Sequence, residues 1–216
     1  MSNHDTALEH LRIIRSLMER AQTYRAISAP AALFGGVLGS VAAGLGILAD
    51  SGVDAWSPTK LLCVWLVLLV ASSVLNLLLL ARGAAQRQQR LLSEGMVTAM
   101  RAIAPPMLVG GVLGFCFIVY RGDAVFAALI WICSYALGLL ATGTFSPRSI
   151  RRLGRAFLLA GLGLSLLWFS RPHLVPLQGD VARASLFLGC TFGLLHIAYA
   201  VAVFLRPNKS ASEEAE

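Results

Sequence analysis

Six apolar stretches divide this chain, at about residues 29–49, 59–81, 103–120, 124–142, 156–169 and 182–205. Most of them reach the roughly 20 residues a helix needs to cross a hydrocarbon core about 30 Å thick. Apolar residues run through them without alternation, which disfavours a lipid-facing barrel and favours helices that satisfy their own backbone hydrogen bonds. The fifth stretch is the shortest and lies between Arg155 and Arg171. Composition agrees: 57% of the 216 residues are hydrophobic, 13% are charged and mean hydropathy is +0.72, well above an ordinary soluble domain. The expected fold class is all-α, a polytopic membrane protein with six transmembrane helices.

In a soluble chain a net charge of +7 would suggest a nucleic-acid partner; in a membrane chain the placement of charge says more than its sum. Fourteen of the 18 basic residues fall in four segments that face one side, carrying Arg12 to Arg25, Arg82 to Arg101, Arg148 to Arg155, and Arg206 with Lys209. The intervening loops hold Lys60, Arg121, Arg171 and Arg183 beside Asp50, Asp54, Asp123 and Asp180. By the positive-inside rule both termini are expected in the cytoplasm. No direct binding of nucleic acid is expected. Sixteen arginines against two lysines are compatible with a high-GC bacterial gene, hence with a bacterial inner (cytoplasmic) membrane. About 28 mostly polar residues precede the first span, which is also too long for a signal-peptide core, so a cleaved leader is not expected.

The chain also repeats itself. Arg25-Ala-Ile-Ser-Ala-Pro30 matches Arg101-Ala-Ile-Ala-Pro-Pro106, and Gly35-Gly-Val-Leu-Gly39 matches Gly110-Gly-Val-Leu-Gly114 after a one-residue shift. A fainter third copy runs from Arg155-Ala-Phe157 to Gly161 and Gly163. The expectation is three tandem hairpins, each introduced by a basic segment. Gly35 with Gly39, Gly110 with Gly114 and Gly161 with Ser165 place small residues four apart on one helix face, where they permit close helix approach in lipid. The Leu-rich second span is expected to be the more lipid-exposed. Pro30, Pro105 and Pro106 are placed at helix starts, where a missing amide proton costs little.

Three parts are expected: a cytoplasmic amphipathic helix within residues 1–28, a transmembrane domain at 29–206 and a disordered tail at 207–216. Ala7, Leu11, Ile14, Met18 and Ala21 follow helical spacing over residues 5–26, with Thr6 or Asp5 as cap. This helix could lie on the inner leaflet, pack beneath the bundle or bind a second chain. A second basic helix, at 82–100, is expected before the third span.

No acidic or basic residue lies clearly within a predicted span, which disfavours an ion-driven pump. The polar residues at depth are Ser40, Ser72, Ser73, Asn76, Ser134, Ser165, His196 and Tyr199. His196 carries the widest chemistry. Its distance from the cytoplasmic end of its span, roughly 15 Å at 1.5 Å per residue, matches that of Asn76, Ser72 and Ser73 in the second span. The candidate site is therefore His196, Asn76, Tyr199, Ser72 and Ser73, acting either as a bridge between helices or as a ligand contact. Ser134 lacks the Gly-x-Ser-Gly setting of a rhomboid nucleophile, the odd spans lack a mitochondrial-carrier motif, and no phosphate or dinucleotide loop is present. No catalytic residue, metal site or cofactor is expected. Cys63, Cys116, Cys133 and Cys190 form no CxxC pair and are read as small buried apolar residues.

The stretch from Arg12 to Arg25, running into a Gly-rich span, resembles uncharacterised bacterial six-span inner-membrane proteins that open on an amphipathic helix, some encoded beside winged-helix regulators. The resemblance covers about 35 residues. It implies no activity and points to a cytoplasmic protein partner through residues 5–26. Two functions follow from these observations. One is a non-enzymatic membrane anchor, sensor or interaction module in contact with the lipid bilayer; the other is a small-solute transporter or channel with a polar mid-membrane site, and a homo-oligomer is compatible with both.

Overall fold

The computed structural model describes residues 28–49, 55–86, 94–143 and 146–205. The amphipathic stretch at 5–26, part of the second basic segment and the tail at 207–216 lie outside these residues. The described chain forms α1 (Ala29–Leu48), α2 (Pro58–Gln86), α3 (Glu94–Cys116), α4 (Ala124–Ala141), α5 (Arg148–Ser170), α6 (Asp180–Leu188) and α7 (His196–Phe204). A π-helical turn, Phe117–Arg121, extends α3, and a π-helical segment, Gly189–Leu195, joins α6 to α7. No strand occurs among the described residues. Among the described residues, six helical stretches are long and apolar enough to cross a membrane: Ala29–Leu48, Pro58–Gln86, Met96–Arg121, Ala124–Ala141, Arg148–Ser170 and Asp180–Phe204.

Local chemistry sets the ends. The Ser28 hydroxyl accepts from the Ala31 amide at 3.3 Å, and Pro30 follows in the first turn, where its lost donor has no intrahelical partner. Asp123 caps α4 by accepting from the Phe126 amide at 2.9 Å. Immediately before it, Gly122 adopts φ 66°, a left-handed conformation that suits glycine and reverses the chain between the third and fourth spans.

Two boundaries differ from expectation. Pro105 and Pro106 stand inside α3 and not at its start, because the basic helix expected before the third span continues into it without a break from Glu94. Burial of that helix against α4 maintains it despite two missing backbone donors. The fifth span begins at Arg148, so it runs 23 residues and carries Arg148, Arg151, Arg152 and Arg155 in its first turns. The cysteines also differ: Cys63 and Cys190 are exposed on the outer surface, where a thiol against lipid costs little.

The fourth span is the centre of the bundle, half buried, and packs against α3, α5 and α6. The first span lies along the whole length of the sixth, where Gly36 and Gly193 bring the backbones together: a Cβ on Gly36 would sit 2.9 Å from the Gly193 carbonyl oxygen. The second span is the least buried, at 11%, with Val67, Val70, Val74 and Leu78 facing outward. It packs on α1 and on the Phe117–Arg121 turn, and makes no extensive contact with α3 itself. Lys60 lies 5.2 Å from the Trp56 ring and Arg183 lies 5.3 Å from the Trp168 ring, while Arg183 also pairs with Asp180 at 3.2 Å.

Candidate functional site

The gap between the second and third spans is a cavity of about 490 Å³, closed on its inner side by α1, α4 and the sixth span. Glycines on the odd helices make the room. A Cβ on Gly35 would stand 3.0 Å from Ser72 Oγ, one on Gly110 would overlap the Ser134 side chain, and one on Gly114 would overlap the Trp131 indole. Recessed backbone on α1 and α3 thus accommodates polar and aromatic side chains from α2 and α4. Gly39 meets Trp65 and Gly193 at ordinary contact distance. Gly161 belongs elsewhere: it packs against Ile132 and Cys133 of α4, and its carbonyl accepts from Ser165 Oγ at 2.7 Å.

Four of the five candidate polar residues, His196, Asn76, Ser72 and Ser73, line this one cavity. The fifth does not. Tyr199 is three residues beyond His196, offset about 60° around a helix of 3.6 residues per turn, and this is enough to face it toward α5. There it lines a separate groove of about 210 Å³ with Ser149, Arg152 and Leu153.

His196 and the second-span residues share the cavity without bonding across it. His196 sits at the end of the Gly189–Leu195 π-segment, a distortion that is frequent at functional sites. Its Nδ1 lies 2.9 Å from the Phe192 carbonyl oxygen. A carbonyl only accepts, so Nδ1 carries the hydrogen and Nε2 of the neutral ring is left as an acceptor. Tyr135 Oη donates to that Nε2 at 2.8 Å, joining the fourth and sixth spans. Phe192 stacks on His196 with 14° between the rings, and Tyr135 meets Phe157 at 4.9 Å and Phe192 at 5.0 Å. Asn76 Oδ1 accepts from the Ser28 amide at 3.0 Å and so holds the start of α1 against α2. The His196 bond that depth matching suggested for the second span is thus made with α4 instead, because the open cavity holds α2 away.

Tyr135, Trp65, Trp131 and Phe192 were not singled out in the sequence, although one signal was present for Tyr135. It lies six residues before the end of α4 and His196 eight before the end of α7, a near match in depth on two spans that run the same way.

The wall has a definite chemical character. Among the described residues, no Asp, Glu, Lys or Arg lines the cavity. The hydroxyls of Ser72, Ser73 and Ser134 make no hydrogen bond to another described residue, and the buried Trp65 Nε1 has no partner among them. Both nitrogens of His196 are engaged, so Ser134 has no imidazole base available from it. Comparison of the chain with protein-family models, with curated proteins and with solved structures found no match.

Proposed function

We propose that this protein binds a small, mainly apolar molecule within the bilayer, as an intramembrane sensor or carrier without enzymatic chemistry. The observation that carries the reading is the gap of about 490 Å³ between the second and third spans, lined by His196, Asn76, Ser72 and Ser73. Its size falls within the roughly 300–1,000 Å³ of small-molecule sites. A poorly buried second span, set off from α3, places that gap beside the lipid and gives a lateral route for a ligand already dissolved in the membrane.

In this reading the chain sits in a bacterial inner membrane as three tandem hairpins with both termini cytoplasmic, an orientation supported by the 14 of 18 basic residues on one side. Residues 5–26 would carry the occupancy of the cavity to a cytoplasmic partner. The helical spacing of Ala7, Leu11, Ile14 and Met18 supports that role.

Gly111 supplies the test, since it lines the cavity and a Cβ there meets nothing within 4 Å. Gly111→Phe should fill the space, remove small molecules that co-purify with the wild-type chain in mild detergent, and leave the protein monodisperse. Equal recovery of co-purifying molecules from a well-folded variant would refute the reading.

A further inference from the structure

The cavity's polarity is more specific than its volume. Apolar side chains make up most of its wall, among them Leu62, Leu66, Leu69, Ile103 and Met107. Set into that wall are hydroxyls without partners. Ser134 is only 8% exposed, lines the cavity and makes no hydrogen bond to a described residue. Three other deep hydroxyls behave differently: Ser40, Ser165 and Thr191 each return their proton to the carbonyl four residues earlier, at 2.9, 2.7 and 2.7 Å, while the buried Ser185 hydroxyl, away from the cavity, is also without a partner among the described residues. The usual way for a serine to satisfy itself in a membrane helix is therefore in use elsewhere in this chain and unused at Ser134. Ser72 and Ser73 face the same space without a partner among the described residues, and the Trp65 indole N–H on the same wall is buried and likewise unpaired among them. A buried donor without an acceptor is unfavourable, and water is scarce at this depth. Ser134 is ten residues into a span of 18, about 15 Å from its start.

Building on the cavity-binding reading, we infer that the occupant is a neutral amphiphile with an apolar body and an uncharged head bearing carbonyl oxygen, which accepts from the Ser134 hydroxyl and, after a small shift of the ring, from the Trp65 N–H. The absence of ionised side chains among the described residues of the wall selects against a carboxylate or phosphate head, whose charge would go uncompensated. The absence of a purely hydrocarbon lining selects against an alkane. A quinone ring and the ester groups of an acylglycerol share the required chemistry.

The test uses the full chain in phosphatidylcholine nanodiscs and measures compound retained above empty discs. The probes are decylubiquinone, dioctanoylglycerol, dodecylbenzene as an oxygen-free body of similar bulk, and palmitate as a charged one. At least one carbonyl probe is expected to bind saturably and more tightly than dodecylbenzene and palmitate, and which of the two does so identifies the source. Ser134→Ala and Trp65→Phe should each weaken that probe by about fivefold, the effect of one lost hydrogen bond, and leave dodecylbenzene unchanged. Should either variant fold poorly, Ser72→Ala provides the third readout. Dodecylbenzene or palmitate binding as tightly as the carbonyl probes, or unchanged carbonyl binding in all folded variants, would overturn the inference and leave the cavity reading standing. Absence of retention for all four probes would overturn both.

Discussion

Tyr135 Oη donates to His196 Nε2 across 2.8 Å, and this bond links the central helix of the bundle to the sixth span at the back wall of the cavity. Each ring is also enclosed by Phe157 and Phe192, so bond and packing act together. The arrangement requires the proton on His196 Nδ1, and the Phe192 carbonyl provides for that.

The bond predicts a measurable coupling. Tyr135→Phe and His196→Leu should each lower the midpoint of thermal unfolding in detergent, and their double-mutant cycle should give an interaction of about 0.6–1.7 kcal/mol, the range for hydrogen bonds between membrane helices. Strict additivity would show that packing alone accounts for both residues.

A second prediction concerns helix approach. Gly36→Ala would place a Cβ 2.9 Å from the Gly193 carbonyl oxygen, whereas Gly44→Ala and Gly163→Ala meet nothing within 4 Å. The first should destabilise by about 1–3 kcal/mol, as overpacking does, and the other two should be neutral or slightly stabilising. Thermal unfolding of the three single variants checks the order; a Gly36→Ala protein as stable as Gly44→Ala would contradict the close contact.

Asn76 yields a third. Replacing it with Leu removes the acceptor for the Ser28 amide and should loosen the start of α1, at a cost of about 1–3 kcal/mol for the unpaired donor. Hydrogen exchange is the appropriate measurement, because the effect is local. Protection should fall at Ser28 and in the first turn of α1 while α4 and α5 are unaffected, and uniform loss through the bundle would argue against this role.

Orientation can be tested separately. In a cysteine-free background, Lys209→Cys should react with a membrane-impermeant maleimide only after the membrane is opened, and Leu177→Cys should react in intact spheroplasts. The opposite pattern would invert the topology that charge placement supports.

How far the sequence reached varies by element. The existence of six apolar helices, the exposure of the Leu-rich second span and the helix start at Pro30 all depend on properties local to a stretch of chain. The Asp123 cap and the left-handed Gly122 are also short-range devices, although the structure and not the sequence brought them out. Pro105 and Pro106 mark a limit: proline preference places them at a helix start, yet packing against α4 carries the helix through them.

The same division holds for the candidate site. Depth along each span was legible by counting residues, which is why His196, Asn76, Ser72 and Ser73 could be grouped before any fold was known. Rotation about each helix was not, and rotation sent Tyr199 to a different groove and brought Tyr135 to His196. Hydrophobicity by itself determined that this chain forms long helices, because every unpaired backbone group in lipid is costly wherever it lies. Only the tertiary structure decided which helices touch and which stand apart: in a bilayer apolar faces are equally content against lipid, so pairing is settled by side-chain shape, glycine contacts and a few hydrogen bonds between residues far apart in the chain.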